Sequence, residues 1–290
     1  MQATTSVPPA FDVERRRHAR RRRRTQLLAG AVLAVALGAS AVVSEFSPVR
    51  VVQGLPGVAT YLVGTLPVMR SSHLWADLAE WYWGLGSWLV LLVDTVVIAF
   101  VGTLLGVLGA LVLCFDGSNA MARGRVSYHG ARRTLDIART VPELVYALMF
   151  VYAFGLGPLA GVLAIAVHST GVLGKLFAEV VDAADRRPID GVRAAGAGWV
   201  ETVRFAILPQ VLPGFASYAL LRFEINVRAS AVIGFVGAGG IGQELYLVIR
   251  QFIYQDVSAI VLLIIATVAL IDLSCEQLRH RVIGRHALAA

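Results

Sequence analysis

An all-α protein that crosses a membrane about six times is the fold class this sequence predicts, and three observations predict it. The first is composition: 57% of the 290 residues are hydrophobic and only 16% are charged, against about 45–50% and about 25% in soluble domains. The second is that apolar residues collect into runs near the length a helix needs to cross a bilayer, about 20 residues. The third is that the basic residues, which set a net charge of +7, lie between those runs in alternate segments. Lipid cannot satisfy the unpaired backbone groups of an open sheet, so the runs read as helices. A disordered chain would be polar. Cys114 and Cys275 both sit in apolar runs, which matches neither a disulfide scaffold nor a zinc or haem spacing.

Taken in order, Leu27–Val43 is the first span. A basic stretch before it imitates a signal peptide, but that stretch is long and no clear cleavage site follows, so it reads as an uncleaved helix. Ser44–Ser87 is an outer segment rich in aromatics. His73–Trp83, with Trp75 and Trp81, is expected to lie along the outer surface as an interfacial helix, followed by Trp88. Val96–Phe115 is the second span and reaches back toward Trp88 across Asp94. Val141–Leu156 and Leu159–Leu173 are the third and fourth, separated by the turn Gly155-Leu156-Gly157-Pro158. Val211–Val236 is the fifth and carries Arg222, Glu224 and Arg228. Val257–Leu273 is the sixth and ends with Asp272.

The arginines orient these spans. Eight lie in Arg15–Arg24. Arg123, Arg125, Arg132 and Arg133 follow the second span, and Arg186, Arg187, Arg193 and Arg204 follow the fourth. Arg279, Arg281 and Arg285 follow the sixth. These segments share one side, and only Arg50, Arg70 and Arg250 fall on the other. The positive-inside rule then puts both termini in the cytoplasm of a multi-pass protein of the cell (cytoplasmic or inner) membrane. Anionic lipid is the expected partner of Arg15–Arg24, rather than nucleic acid. The chain divides into a basic tail at 1–25, a first span with the outer segment at 26–87, a transmembrane core at 88–281 with a cytoplasmic loop at 182–210, and a tail at 282–290.

Several motifs invite a chemical reading. Gly237-Ala238-Gly239-Gly240-Ile241-Gly242 satisfies G-x-G-x-x-G, but a dinucleotide site needs a βαβ unit around it, so a flexible outer turn is expected instead. No phosphate-cradling P-loop is present, and no triad or paired carboxylates mark a catalytic centre. The glycines at 102, 106 and 109 form a small-residue stripe suited to close helix contact within the monomer. Arg139/Glu143, Lys175/Glu179 and Glu224/Arg228 are opposite charges at i,i+4 spacing, which places partners on one helix face. Such groups at membrane depth either pair locally or line a polar route. Their charges cancel, so anion preference does not follow from them. His168, beside Ser169 and Thr170, is either a satisfied buried histidine or part of that route.

The loop before the fifth span reads Asp190-Gly191-Val192-Arg193-Ala194-Ala195-Gly196, then Ala197–Phe205, then Ala206-Ile207-Leu208-Pro209. This is a helix–turn–helix on the membrane surface, either a docking element or a plain connection. It resembles the E-A-A-x₃-G-x₉-I-x-L-P signature of ABC importer permeases. Asp190-Gly191-Val192 stands at E-A-A, Gly196 at the glycine, Ala206 at the isoleucine and Leu208-Pro209 at L-P. Arg139-Thr140-Val141-Pro142-Glu143, Gly155-Leu156-Gly157-Pro158, Gly171–Glu179, Leu208–Pro213 and Phe223–Ser230 are similar to the phosphonate-type, PhnE-like branch.

That resemblance implies a type I ABC importer (MetI-like) permease fold. It implies two permease subunits, identical or related, two cytoplasmic ATPases and an extracytoplasmic binding protein that delivers phosphonate, phosphate or phosphite. The chain itself would be no enzyme and would hold no cofactor or metal. Asp190–Pro209 would couple to the ATPase, with Gly196 as a turn where a side chain would meet the ATPase surface. Arg139, Lys175 and Arg228 would form the anion route, held by Glu143, Glu179 and Glu224, with His168 beside them. An amino-acid permease of the same fold and an ATP-independent secondary transporter are the alternatives, and a membrane enzyme is a third.

Overall fold

The computed structural model describes residues 9–67 and 73–287, with side chains at 18, 21–67 and 73–281. Arg70, both extreme ends of the two tails, and the side chains of Arg15–Arg17, Arg20 and Arg285 lie outside the described residues. Among the described residues there is no strand. Twelve α-helices follow one another: α1 (Pro9–Val43), α2 (Pro48–Thr65), α3 (Leu74–Trp81), α4 (Leu85–Gly117), α5 (Arg125–Thr140), α6 (Glu143–Phe154), α7 (Pro158–Asp182), α8 (Arg186–Ala194), α9 (Trp199–Thr202), α10 (Leu208–Ile233), α11 (Ile241–Arg250) and α12 (Tyr254–Ala287). Arg21–Val43, Leu85–Gly117, Pro158–Asp182 and Tyr254–Arg281 are each long and apolar enough to cross a membrane. Two further helix pairs, each bent by more than 40° at a short break, are apolar enough for a span only when each pair is taken together, which would make six.

Residues 1–63 and 64–290 form separate compact units. In the first, Leu27, Val32, Leu37 and Val42 of α1 are all exposed, as suits a helix surrounded by lipid. The sequence reading leaves Pro48–Thr65 inside a connection, whereas it is an 18-residue helix with Pro56 inside it. Gly54, Pro56 and Gly57 are poor helix formers and mask the signal.

In the second unit, α4 and α7 form the central pair. Buried Thr95, Ile98, Ala99, Gly102, Gly106, Ala110 and Cys114 make a stripe at helical spacing on α4. A Cβ on Gly102 would lie 2.7 Å from the Ile165 side chain, and one on Gly106 would lie 2.6 Å from Ser169 Cβ. Small residues thus let the two backbones approach, which is how helices gain packing energy where lipid offers no hydrophobic drive. The stripe works within the monomer, as its spacing suggests.

Three expectations change. Val141–Leu156 is not a full span, since its helix starts only at Glu143 and ends at Phe154. Pro142 disfavours a helical conformation at Val141, which sits at φ −79°, ψ 124°, and α5 and α6 meet there at 87°. The 12 residues of α6 rise about 18 Å, short of a bilayer core of about 30 Å. Second, the stretch from Ala197 to Phe205 is not a separate surface helix. From Trp199 the helix continues into α10 through a π turn at Val203–Ile207. Pro209 has no N–H to return to the carbonyl of Phe205, and Leu208 N bonds Val203 O instead. Third, the glycine-rich turn is packed rather than flexible. Ala238–Gly242 are buried, and Gly237, Gly239 and Gly240 take φ of +83°, +84° and +76°. The Ile241 amide donates to Thr95 Oγ1 at 2.8 Å.

The tryptophans of the outer segment clamp the start of α12. Trp81 Nε1 donates to Gln255 O at 3.0 Å and to Ser258 Oγ at 3.2 Å. Trp83 Nε1 donates to the Asp256 carboxylate at 3.2 Å, and its ring meets buried Trp88 edge-on. Trp75 is left 87% exposed.

Candidate functional site

A run of polar side chains crosses the helix bundle of the second unit. Ala99 O accepts from Thr103 Oγ1, and Thr103 Oγ1 accepts from Asn226 Nδ2 at 2.7 Å. The same amide nitrogen donates to Ser169 Oγ at 2.9 Å. Arg222 Nε donates to that hydroxyl at 3.1 Å, and its Nη2 lies 3.5 Å from His168 Nδ1. His168 Nδ1 closes the run on the Glu143 carboxylate. α4, α10, α7 and α6 therefore each contribute a member. Thr103, Ser169, Arg222 and Asn226 are all buried, where unmade hydrogen bonds are costly. Asn226 Oδ1 nevertheless has no partner among the described residues.

Cavities lie at the two ends of this run. One of about 410 Å³ between α4, α10 and α12 is apolar, with Phe100, Phe223 and Leu278 in its wall and Thr103 at its edge. The other, of about 400 Å³ between α6 and α10, holds Glu143 and Arg228 in its wall beside Ile225 and Ala229.

None of the three i,i+4 pairs read from the sequence forms. Arg139 pairs with Asp136 at 3.2 Å and Lys175 with the same carboxylate at 2.7 Å. Glu143 is taken by His168, Glu224 by Arg279 and Arg228 by Asp272 at 2.6 Å, while Glu179 is exposed. The 87° bend separates Arg139 from Glu143, so helical spacing does not apply across it. For the other pairs, neighbouring helices offer better placed partners. Glu224 and Arg228 tie α10 to α12. Arg279, read as part of the cytoplasmic tail, is one of those ties. Of the charged residues read as a route, His168 and Glu143 meet at the polar run. Ser169, Asn226 and Thr103 join them and were absent from that list, and so does Arg222, which the sequence places beside Glu224 and Arg228 in the fifth span. The 222/226 spacing on one helix was the available signal, because counting formal charge passes over Asn, Ser and Thr.

The second cluster lies where α4, α7 and α8–α9 end. Asp185 caps α8, accepting from the Arg187 amide. Asp190 and Gly191 face outward, whereas Ile189 and Val192 pack with Met121, Val181 and Ile207. Gly196 turns the chain at φ +86°. Leu208 is half-buried and Pro209 exposed. Trp199 Nε1 donates to Met121 O at 2.7 Å, under the Arg123 guanidinium. A hydrogen bond to the Asp116 carboxylate holds Arg123 above its ordinary pKa. Asp182 accepts from Ser118 Oγ at 2.6 Å and from the Ala120 amide at 3.0 Å. The Asp190–Pro209 segment is thus tied by hydrogen bonds and packing to the ends of α4 and α7.

The phosphite transport system permease protein PtxC of Stutzerimonas stutzeri is 40% identical over 248 residues, 86% of this chain and 86% of that protein. A putative cryptic phosphonate transport system permease protein of Escherichia coli K12, PhnE2, is 48% identical over 121 residues, 42% of this chain and 99% of that protein. The inward-facing MetNI methionine ABC transporter shares the fold, with a TM-score of 0.55 at 23% identity over 74% of this chain and 99% of that one. The helical core between residues 102 and 284 matches the model for the binding-protein-dependent transport system inner membrane component, and the chain belongs to that family.

Proposed function

We propose that the chain is the permease subunit of an ATP-driven importer that moves a phosphorus oxyanion: phosphonate, phosphite or phosphate. The observation that carries this reading is the likeness to a phosphite permease over 86% of both chains. Its partners are a second permease subunit, a pair of cytoplasmic ATPases that hydrolyse the ATP, and an extracytoplasmic binding protein. Both termini lie in the cytoplasm, a reading supported by the arginine distribution.

The loop Asp190–Pro209 engages the ATPase. Asp190 and Gly191 on the outward face of α8 supply the contact, while Ile189 and Val192 hold the helix to its own subunit. Trp199, bonded to the end of α4, and Leu208-Pro209, opening α10, carry the displacement into the bundle. ATP binding then biases two arrangements of the permease halves through differential contacts. Arg139, Glu143, His168 and Lys175 remain candidates for the route. Glu179, exposed and in none of the ion pairs described, is also a candidate, whereas Glu224 and Arg228 take part through their charge only if their ties to Arg279 and Asp272 open during transport.

Uptake by whole cells tests the reading. A strain lacking the chain should lose growth on phosphite or methylphosphonate as sole phosphorus source, and the plasmid-borne chain should restore it. Unchanged growth on all phosphorus sources together with lost methionine uptake would favour the amino-acid alternative. Uptake that persists without any ATPase subunit would favour a secondary transporter.

A further inference from the structure

We propose that Arg222, Ser169 and Asn226 form a transient binding site, at membrane depth, for a protonated phosphorus oxyanion. The proposal rests on the substrate reading above. The other described basic groups at comparable positions each take a carboxylate: Arg139 and Lys175 take Asp136, Arg228 takes Asp272 and Arg279 takes Glu224. Arg222 is different. It is 8% exposed, and no carboxylate oxygen among the described residues lies within 4.0 Å of it. Its contacts are a hydroxyl and an imidazole nitrogen already facing Glu143.

A guanidinium carries five N–H donors in a fixed fork. Keeping one at membrane depth with no carboxylate in direct contact is expensive, and such groups mark ion pathways. An oxyanion fits the vacant donors in bidentate fashion. Asn226 supplies what distinguishes one oxyanion from another. Its Nδ2 converges with Arg222 Nε on the same Ser169 hydroxyl, while its buried Oδ1 lacks a donor. Phosphate and the monoanions of phosphite and of phosphonates carry a P–OH and can supply that donor, whereas sulfate carries none.

Access is through the cavity of about 400 Å³ between α6 and α10. Its α10 wall includes Ile225 and Ala229, and Arg222 lies one turn below on the same helical stripe. Glu143 in that wall is engaged by His168 Nδ1, which stands between it and Arg222.

The test uses the assembled permease–ATPase complex without binding protein, titrated calorimetrically at pH 6, where phosphite is mostly the monoanion, with sodium phosphite and separately with sodium sulfate. The wild type should bind phosphite saturably and in preference to sulfate. Arg222→Lys, which keeps the charge and loses the fork, should weaken phosphite binding about tenfold to a hundredfold. Asn226→Leu should erase the preference over sulfate. Both variants are scored by gel filtration, and Ser169→Ala, a smaller change expected to weaken binding about tenfold, stands in if either fails to assemble. Absence of saturable phosphite binding by the wild type, or assembled variants that bind as it does, overturns the site. The substrate reading is judged separately by whole-cell uptake, so it can survive the loss of this site.

Discussion

Gly242→Ala is expected to abolish accumulation of folded protein. A Cβ on Gly242 would overlap the carbonyl oxygen of Ala231 and approach Gly234 Cα to 3.1 Å. Both obstacles are backbone, so no side-chain rotation relieves them. The surrounding turn cannot shift freely, because Gly237 O accepts from the Gly157 amide and Ile241 N is held by Thr95. Overpacking of this kind costs about 3 kcal/mol or more, a large part of a total stability of about 5–15 kcal/mol. Gly86 is the control, since a Cβ there meets nothing within 4 Å. Gel filtration of detergent extracts should show Gly86→Ala eluting as wild type and Gly242→Ala lost or aggregated. A monodisperse Gly242→Ala peak at wild-type yield would contradict the packing described.

Gly196→Asp and Gly196→Asn are expected to leave the permease folded and uncouple it. Among the described residues nothing lies within 4 Å of a Cβ at this position. The remaining local cost is the left-handed conformation, about 1–2 kcal/mol for most residues and less for Asn and Asp. If the turn abuts an ATPase, either side chain intrudes on that surface. Substrate-stimulated ATP hydrolysis by the assembled importer should fall by about tenfold or more, on the scale of a lost interface contact of about 1.4 kcal/mol or more. Undiminished stimulation in both variants would overturn this role. Retention by Asn but not by Val would assign Gly196 to backbone geometry alone.

Much of this fold is legible in the sequence because bilayer solvation acts on composition. α4, α7 and α12 are long apolar stretches, and the glycines of α4 announce the close approach to α7. The breaks were harder. Pro142 marks a boundary, but composition alone cannot reveal the 87° bend there. α2 was hidden by Gly54, Pro56 and Gly57. The charged pairs failed for a different reason. Spacing i,i+4 reports which residues share a helix face, whereas the partner is chosen by whichever helix packs there. Asp136 could not be assigned to Lys175, nor Asp272 to Arg228, before the packing of α5 and α12 was known. The polar run carries formal charge only at its Arg222–His168–Glu143 end, so a count of ionisable groups finds that end and misses Ser169, Asn226 and Thr103 at the other.

The central claim is ATP-driven movement of a phosphorus oxyanion through this chain. Proteoliposomes containing the permease with its ATPase, supplied with binding protein outside and ATP inside, measure it directly. The account predicts accumulation of radiolabelled phosphite, phosphate or methylphosphonate that requires both ATP and binding protein and is lost in Gly196→Asp. Accumulation of none of these three anions, or accumulation that proceeds equally without ATP, would contradict it.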